Sequence, residues 1–246
     1  MNLQDRVIII TGASSGIGEA TAKKLAEDGA SVVLMARSED KLKTLKTDIE
    51  KVGGKALVAT GDVTKRKEFE AVVDSAVKHF GKVDGLINNA GLMPLSFVKK
   101  LKTDEWEKMV DVNIKGVLNG VSSVLPQLLE NKGGDIINIS SMAANRYFPG
   151  GAVYCATKSA VKMFSEGLRQ ELAPEHGINV TSIEPGVVAT NLTSTITDED
   201  IKDKMSEMQK MTTLESEDIA NAIHYTLTQP KRVNINDIYI LPTEQK

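Results

Sequence analysis

Tyr154 and Lys158 lie four residues apart, and Ser141, the second serine of a Ser-Ser pair, lies thirteen residues before the tyrosine. Positions i and i+4 share one face of a helix, so a cation at Lys158 would stabilise a phenolate at Tyr154. An unperturbed tyrosine has a pKa of about 10, and a shift towards 7 requires roughly 4 kcal/mol. An ammonium in a poorly hydrated cleft supplies a large part of this. The pair predicts a general acid/base, although the spacing alone is close to chance in a lysine-rich chain.

A glycine-rich turn is the second feature with chemical potential. The sequence Gly-Ala-Ser-Ser-Gly-Ile-Gly at 12–18 directly follows the apolar run 7–10. Such a turn lets backbone N–H groups approach a pyrophosphate at the N-terminus of the next helix. The spacing is GxxxGxG rather than the commoner GxGxxG, and away from a strand it would be an ordinary structural turn. We predict that a dinucleotide binds to Gly12, Ser14, Ser15, Gly16, Ile17 and Gly18.

The end of the second predicted strand bears on the choice of cofactor, because an acidic residue there would bind the ribose 2′-hydroxyl of NAD. The sequence instead reads Met35-Ala36-Arg37-Ser38. A guanidinium suits a 2′-phosphate through paired hydrogen bonds. We therefore predict NADP, with Arg37 and Ser38 as phosphate contacts. The alternative is an ordinary surface arginine.

The elements that must position these residues follow a simple alternation. Short β-branched runs predict strands at 7–10, 31–35, 56–60, 85–88, 135–140, 179–184 and 237–241, and helical patterns lie between them. One helix is predicted between Thr64 as N-cap and Gly81 as its end. Alternating strands and helices imply a parallel sheet covered on both faces. The predicted fold is α/β, a Rossmann-type doubly wound parallel sheet of about seven strands, in a single dinucleotide-binding and catalytic domain, 1–246.

A polar segment at about 190–213 stands apart from this alternation and follows the sixth predicted strand. It carries Met205, Met208 and Met211 at helical spacing. Methionine adapts to varied apolar partners, and ligands of open α/β sheets bind at the carboxyl ends of the strands. The segment is therefore either a packing surface or a substrate lid.

Composition excludes several other classes of protein. The net charge is -3 and the basic residues are dispersed, which argues against nucleic acid as a partner. No apolar run approaches the roughly 20 residues of a membrane span, and the single cysteine, Cys155, fits a reducing compartment, so we expect a cytoplasmic protein without a membrane partner. Cys155 is read as a small buried residue rather than a nucleophile. The three histidines lack ligand spacing, so no metal is predicted.

Taken together, these residues resemble the short-chain dehydrogenase/reductase family over nearly the whole chain. The motifs occur in the family's order: Thr11-Gly12-xxx-Gly16-x-Gly18, Gly61-Asp62-Val63, Asn88-Asn89-Ala90-Gly91, Asp111-Val112-Asn113, Ser141, Tyr154-xxx-Lys158 and Pro185-Gly186. The resemblance implies reversible hydride transfer between C4 of a nicotinamide and a secondary alcohol or carbonyl carbon, in an enzyme that forms a homodimer or homotetramer through the helix of Tyr154.

The resemblance also implies residue roles. Tyr154 would be the catalytic acid/base, Lys158 would bind ribose hydroxyls and lower the pKa of the tyrosine, and Ser141 would hold the substrate oxygen. Asn113 would sustain a water-linked proton relay to Lys158. The remaining cofactor contacts would be Asp62 and Val63 at the adenine, Asn89, Ala90 and Gly91 at the nicotinamide ribose, and Pro185, Gly186, Val188 and Thr190 at the nicotinamide. Taken singly, Asn113, Ser141 and Asp62 also fit structural roles.

The C-terminal region, from Glu217-Asp218 to Pro242-Thr243, resembles bacterial NADP-dependent 3-hydroxy acid (serine) dehydrogenases and related broad-range carbonyl reductases. A small 3-hydroxy acid such as serine is the implied substrate. A reductase of hydrophobic aldehydes or ketones is the alternative, and a non-catalytic NADP-binding sensor is a third reading. Arg146 would bind a substrate carboxylate or, alternatively, face solvent in its loop.

Overall fold

The computed structural model describes residues 2–208 and 212–245, with side chains omitted at 204–208. Seven parallel strands form one sheet in the order β3-β2-β1-β4-β5-β6-β7. The strands are β1 Val7–Thr11, β2 Ser31–Ala36, β3 Lys55–Thr60, β4 Gly85–Asn88, β5 Gly134–Ile139, β6 Ile178–Pro185 and β7 Asp237–Ile240. Each coincides with a predicted strand to within one residue at either end. The predicted doubly wound parallel sheet is confirmed.

The alternation of side chains along β1 explains how the sheet carries helices on both faces. All five residues of β1 are buried. Ile8 and Ile10 belong to the cluster that includes Leu25, whereas Val7 and Ile9 belong to the cluster that includes Phe69. Because successive side chains of a strand point to opposite faces, a continuous apolar run fills two cores. Apolar runs of this kind are typical of parallel strands buried on both sides.

The helices are α1 Gly16–Glu27, α2 Glu39–Lys51, α3 Arg66–Phe80, α4 Thr103–Val110, α5 Gly116–Glu130, α6 Ala152–His176, α7 Glu199–Met208 and α8 Ser216–Leu227. A π-helical turn, Asp111–Lys115, joins α4 to α5, and short 3-10 helices occupy Val98–Lys100, Met142–Ala144 and Asn191–Thr195. Within the described residues, no helix is long and apolar enough to cross a membrane.

The predicted end of α3 is confirmed and its predicted start is wrong by one residue. Gly81 follows the helix in the left-handed conformation, with φ of 87°, which a glycine adopts without a steric penalty. The residue before the helix is Lys65 rather than Thr64. Thr64 is held in the preceding turn, because its backbone N and its Oγ1 both donate to Asp62 Oδ1 at 2.9 Å.

The strand order places a crevice beside β1. This strand pairs with β2 on one side and with β4 on the other, so the chain reverses its direction of winding there. In open α/β sheets ligands bind outside the carboxyl ends of the strands at such a switch point. Consequently, the turn after β1 and the segments after β4, β5 and β6 meet at one edge of the sheet.

Part of the segment after β6 lies along this edge, and a polar cluster at the start of α7 holds it there. Asp198 is 3% exposed, accepts a 2.8 Å hydrogen bond from Ser96 Oγ and lies 3.6 Å from Lys100 Nζ. Ile201 is buried beside it and would collide with a side chain at Gly150. Of the three methionines of the predicted stripe, Met211 and the side chains of Met205 and Met208 lie outside the described residues.

Candidate active site

A cleft of about 1020 Å³ runs along the carboxyl edge of the sheet. It brings together residues separated by almost the whole length of the chain. The predicted site residues that line it are Gly12, Ser14, Ser15, Gly16, Ile17, Arg37, Ser38, Asp62, Val63, Asn89, Ala90, Gly91, Ser141, Tyr154, Lys158, Pro185, Gly186, Val188 and Thr190. Gly18 and Asn113 lie behind this lining.

The phosphate turn has no room for side chains at its glycines. Gly12 has φ of 65°, and a Cβ there would lie 2.9 Å from Asn89 Nδ2. Gly16 opens α1 with φ of 57°. A Cβ at Gly18 would collide with the carbonyl oxygen of Gly12. The lack of a side chain at Gly18 therefore lets α1 approach the turn, and its contact with the cofactor stays a prediction.

Thr11, the last residue of β1, holds the turn in place through its hydrogen bonds, although the sequence motif assigned it no role. Its Oγ1 accepts hydrogen bonds from the backbone N of Asn89 at 2.9 Å and of Ala90 at 3.0 Å, and it donates to Ile87 O at 3.3 Å. Asn89 Nδ2 in turn donates a 2.9 Å hydrogen bond to Thr11 O. Its polar side chain at the end of an otherwise apolar strand was the feature of the sequence that could have indicated this role. Thr11 fixes the segment after β4 against the turn after β1.

At the end of the cleft near β2, Arg37 supplies a positive charge. Arg37 and Ser38 follow β2 and are exposed. Among the residues that the structure describes, the Arg37 guanidinium makes no hydrogen bond or ion pair. Its five N–H donors are therefore available to an anionic ligand.

Asn113 lies in the π-helical turn and is 1% exposed. Its side-chain amide pairs with the backbone of Leu92 in both directions: Leu92 N donates to Oδ1 at 2.9 Å, and Nδ2 donates to Leu92 O at 3.0 Å. Nδ2 also donates to Thr157 Oγ1 at 3.1 Å. A helix-interior amide satisfied by its own backbone is thus excluded. Asn113 instead fastens the segment after β4 to α6 at Thr157, the residue before Lys158.

The first turns of α6 carry Tyr154 and Lys158. Tyr154 and Lys158 are 5% and 6% exposed, and Lys158 Nζ lies 5.9 Å from the centroid of the Tyr154 ring. Lys158 Nζ donates to Ile139 O at 2.8 Å, and Ser140 Oγ donates to Lys158 O at 2.9 Å. The end of β5 therefore holds the helix at both the main chain and the side chain of Lys158.

Ser141 also lies at the end of β5 and contacts two walls of the cleft. Its Oγ accepts from Ala143 N at 3.2 Å and donates to Pro185 O at 3.5 Å. It also forms a side-chain hydrogen bond with Tyr154 that favours the phenolate. The structural role of a turn cap and the predicted role beside the reacting oxygen are thus both compatible with its position.

The pKa of Tyr154 is shifted in the direction opposite to the one expected. Burial raises the pKa of Tyr154 to about 12, against which the hydrogen bond with Ser141 acts only partly. Burial also lowers the pKa of Lys158 to about 8. The expected lowering of the Tyr154 pKa is not seen here, because loss of hydration outweighs the hydrogen bond with Ser141. Near pH 7 the phenol is protonated and Lys158 still carries its charge.

The other end of the cleft is mainly apolar. Its wall near Tyr154 is formed by Leu92, Met93, Leu95, Phe148, Leu192 and Ile201. Arg146, an exposed residue, also lines it. Cys155 lies behind, and burial raises the pKa of its thiol, which confirms its reading as a small buried helix residue. In the described part of the chain, no group of three His, Cys, Asp or Glu side chains could hold a metal ion.

The C-terminal tail contributes lining that the sequence did not suggest. Glu244 and Gln245 reach the cleft beside Gly186 and Val187. The subgroup resemblance ends at Pro242-Thr243, and no local pattern indicated that the residues beyond it fold back onto the site.

Known proteins place this chain in a family. The sequence model of the short chain dehydrogenase family matches residues 6–201. An uncharacterized oxidoreductase of Staphylococcus saprophyticus is 47% identical over 246 residues, which cover 99% of this chain and 98% of the relative. Another, from Listeria innocua, is 46% identical over 246 residues, with 100% and 99% covered. The protein therefore belongs to the short-chain dehydrogenase family, as its motifs predicted, and is an oxidoreductase.

Within that family, the structure is similar to the closed form of a serine dehydrogenase complexed with NADP⁺. The two share 33% identity and a TM-score of 0.90, over 98% of this chain and 96% of the other.

Proposed function

We propose that the protein is an NADP-dependent oxidoreductase that interconverts an alcohol and a carbonyl compound. The observation that carries this proposal is the continuity of one cleft from Arg37, through the turn after β1, to Tyr154 and Lys158. The residues present fit the cofactor: the turn has no room for Cβ atoms at Gly12, and Arg37 has an unengaged guanidinium for a 2′-phosphate. The NADP-bound serine dehydrogenase of similar structure supports the same choice.

NADP, when bound, supplies or accepts the hydride. The protein's own part is to move a proton and hold the substrate oxygen. In reduction, Tyr154 Oη would donate its proton to the developing alkoxide, while Ser141 Oγ donates a hydrogen bond to the same oxygen. The raised pKa of Tyr154 keeps that proton in place at neutral pH. In oxidation the phenolate must form, and the Lys158 ammonium would stabilise it.

Asn113 would act indirectly, through water and Lys158, without touching the reacting atoms. A Cβ at Gly91 would lie 3.4 Å from Asn113 Oδ1 and 3.6 Å from Lys158 Nζ, so the amide and the ammonium face the same small space. This closeness supports the proposed proton relay through water.

A small 3-hydroxy acid such as serine is the substrate that we propose first. The similarity to a serine dehydrogenase supports it, and Arg146 in the cleft lining offers a partner for a carboxylate. The apolar wall formed by Leu92, Met93 and Phe148 favours a second candidate, reduction of hydrophobic aldehydes or ketones. Steady-state rates with L-serine, 3-hydroxypropionate and hydrophobic aldehydes separate the two, and Arg146→Leu should raise KM only for the acids.

We also propose that the segment at about 190–213 is a substrate lid. Thr190, Thr195 and Ile201 line the cleft, and Met93 N donates to Thr195 Oγ1 at 3.1 Å. Residues 190–201 therefore contact the segment after β4 at Met93, and the bonds of Asp198 to Ser96 and Lys100 hold them in place.

Replacement of Tyr154 by phenylalanine tests the mechanism. Loss of the proton donor should lower kcat by roughly 10²- to 10⁴-fold, while NADPH still binds, because the phosphate turn and Arg37 are untouched. Turnover equal to that of the wild type would refute the assigned role. NADPH binding measured by its fluorescence in both proteins separates loss of chemistry from loss of the fold.

A further inference from the structure

The C-terminal tail returns to the active site after the last strand. The backbone N of Gly186, just after β6, donates to Ile240 O of β7 at 2.7 Å. Beyond β7 the chain turns, and Gln245 N donates to Pro242 O at 3.0 Å. This turn brings Gln245 over the carboxyl end of β6, where Gly186 and Val187 line the cleft.

The side-chain amide of Gln245 joins two separate walls of the cleft. Its Oε1 accepts a 3.0 Å hydrogen bond from Val187 N, and its Nε2 contacts Met142 Sδ. Met142 is the residue after Ser141, whereas Val187 belongs to the segment after β6. A Cβ at Gly186 would collide with Gln245 Oε1, so the amide sits close against this backbone.

The Gln245 side chain links the same two walls of the cleft that Ser141 contacts. Ser141 Oγ reaches Pro185 O at 3.5 Å, which is the long limit of a hydrogen bond. The ladder between β5 and β6 ends at the 2.8 Å bond from Ser140 N to Ile183 O, so beyond it the spacing between Ser141 and the segment after β6 rests on this long contact and on a second one. Gln245 provides it from outside, at the neighbouring residues Met142 and Val187.

We propose that Gln245 is a positioning residue of the hydride-transfer site. It sets the distance between the wall that carries Ser141 and the wall at Pro185–Gly186–Val187, where the nicotinamide end of NADP would lie. The inference rests on the proposed function, because it concerns the geometry of that reaction. A purely structural tail would stabilise the fold without altering the chemical step.

The test compares Gln245→Leu, Gln245→Glu and the control Thr243→Ala with the wild type in the full-length protein. Thr243 lies in the same turn, is exposed and is not part of the cleft lining. Gln245→Leu removes the acceptor for Val187 N and should lower kcat roughly five- to tenfold, as expected for a lost hydrogen bond that aligns reactants. KM should change less than twofold. Gln245→Glu keeps an acceptor oxygen and should recover part of kcat.

Two readouts distinguish positioning from mere stability. The primary deuterium isotope effect with NADPH deuterated at C4 should rise in Gln245→Leu, because misalignment slows the hydride step itself. In the cofactor-free protein, the methyl resonance of Met142, labelled with ¹³C, should shift in Gln245→Leu and stay in place in Thr243→Ala. A lower melting temperature with unchanged kcat and isotope effect would overturn the proposal, as would an unmoved Met142 resonance.

Failure of the proposed function is recognised separately. It would appear as absence of NADPH-dependent turnover in the wild type, whereas failure of this inference leaves wild-type turnover intact and Gln245→Leu equal to it.

Discussion

The burial of Lys158 leads to a prediction in which a loss of activity accompanies a gain in stability. Its pKa falls from 10.5 to about 8 because burial disfavours the charged form. At roughly 1.4 kcal/mol per unit, the folded protein without cofactor bears a cost of about 3 kcal/mol for holding this charge near pH 7. Replacement by methionine removes the charge and keeps most of the volume. It also leaves Ile139 O without its donor, which costs about 1 kcal/mol.

Lys158→Met should therefore stabilise the cofactor-free protein by about 2 kcal/mol, or roughly 4 to 8 °C in melting temperature for a chain of this size. Its kcat should fall by at least roughly a hundredfold. Thermal denaturation at pH 7, followed by circular dichroism, measures the first effect. A steady-state assay measures the second.

The difference in stability between Lys158→Met and the wild type should depend on pH. Below pH 8 Lys158 is protonated in the folded and the unfolded protein, so the cost is present in full. Between pH 8 and 10.5 the folded protein releases the proton while the unfolded one retains it, so wild-type stability rises with pH relative to the variant. The raised pKa of Tyr154 is shared by both proteins and does not alter the comparison at these pH values. The advantage of Lys158→Met should shrink by roughly 1.4 kcal/mol per unit above pH 8.

Lys162→Met is the matched control, one turn further along α6. Lys162 Nζ pairs at 2.9 Å with Glu184, whose side chain is 1% exposed. Its removal leaves the buried carboxylate without its cation, with Asn145 and Ser182 still donating to it, and should destabilise the protein by about 2 kcal/mol. Opposite signs for the two variants are expected. A lower melting temperature for Lys158→Met at pH 7, or a gap independent of pH, would refute the reasoning.

Three further predictions follow from the cleft and its surroundings. Arg37→Ser should weaken NADPH binding by roughly 10- to 100-fold, as expected for lost charge-assisted hydrogen bonds, and leave NADH binding unchanged; equal affinity of the wild type for both cofactors would contradict the role of Arg37. Asp198→Ala releases Ser96 and Lys100, so proteolysis within 190–213 should accelerate and KM should rise several-fold, which limited trypsin digestion and kinetics measure. We propose a homodimer or homotetramer through α6, the helix of Tyr154, where Met163 is 71% exposed; Met163→Glu should yield monomers in sedimentation, and a monomeric wild type at micromolar concentration would exclude the interface.

The strands were predictable because each is a short run rich in β-branched residues, and the inner strands are buried on both faces whereas the edge strands β3 and β7 are partly exposed. The sheet then places their carboxyl ends together. The pair formed by Tyr154 and Lys158 was predictable because helix geometry alone relates positions i and i+4. The sign of the tyrosine pKa shift was not predictable, since it depends on how much water the folded cleft excludes. Gln245 was missed for a different reason: its partners lie 58 and 103 residues away, and no local periodicity encodes such contacts.

The contacts of the site residues share a physical logic. Asn113 binds the backbone at Leu92 after β4, Lys158 binds Ile139 O at the end of β5, and Gln245 binds Val187 N after β6. Each polar side chain thus satisfies a main-chain group where a strand ends and its ladder no longer supplies partners. The sheet fixes these backbone groups relative to one another, so a hydrogen bond to each transfers the rigidity of the sheet to the cleft. A change that loosens one of these contacts should therefore disturb the alignment of the reacting groups more than it lowers the stability of the fold.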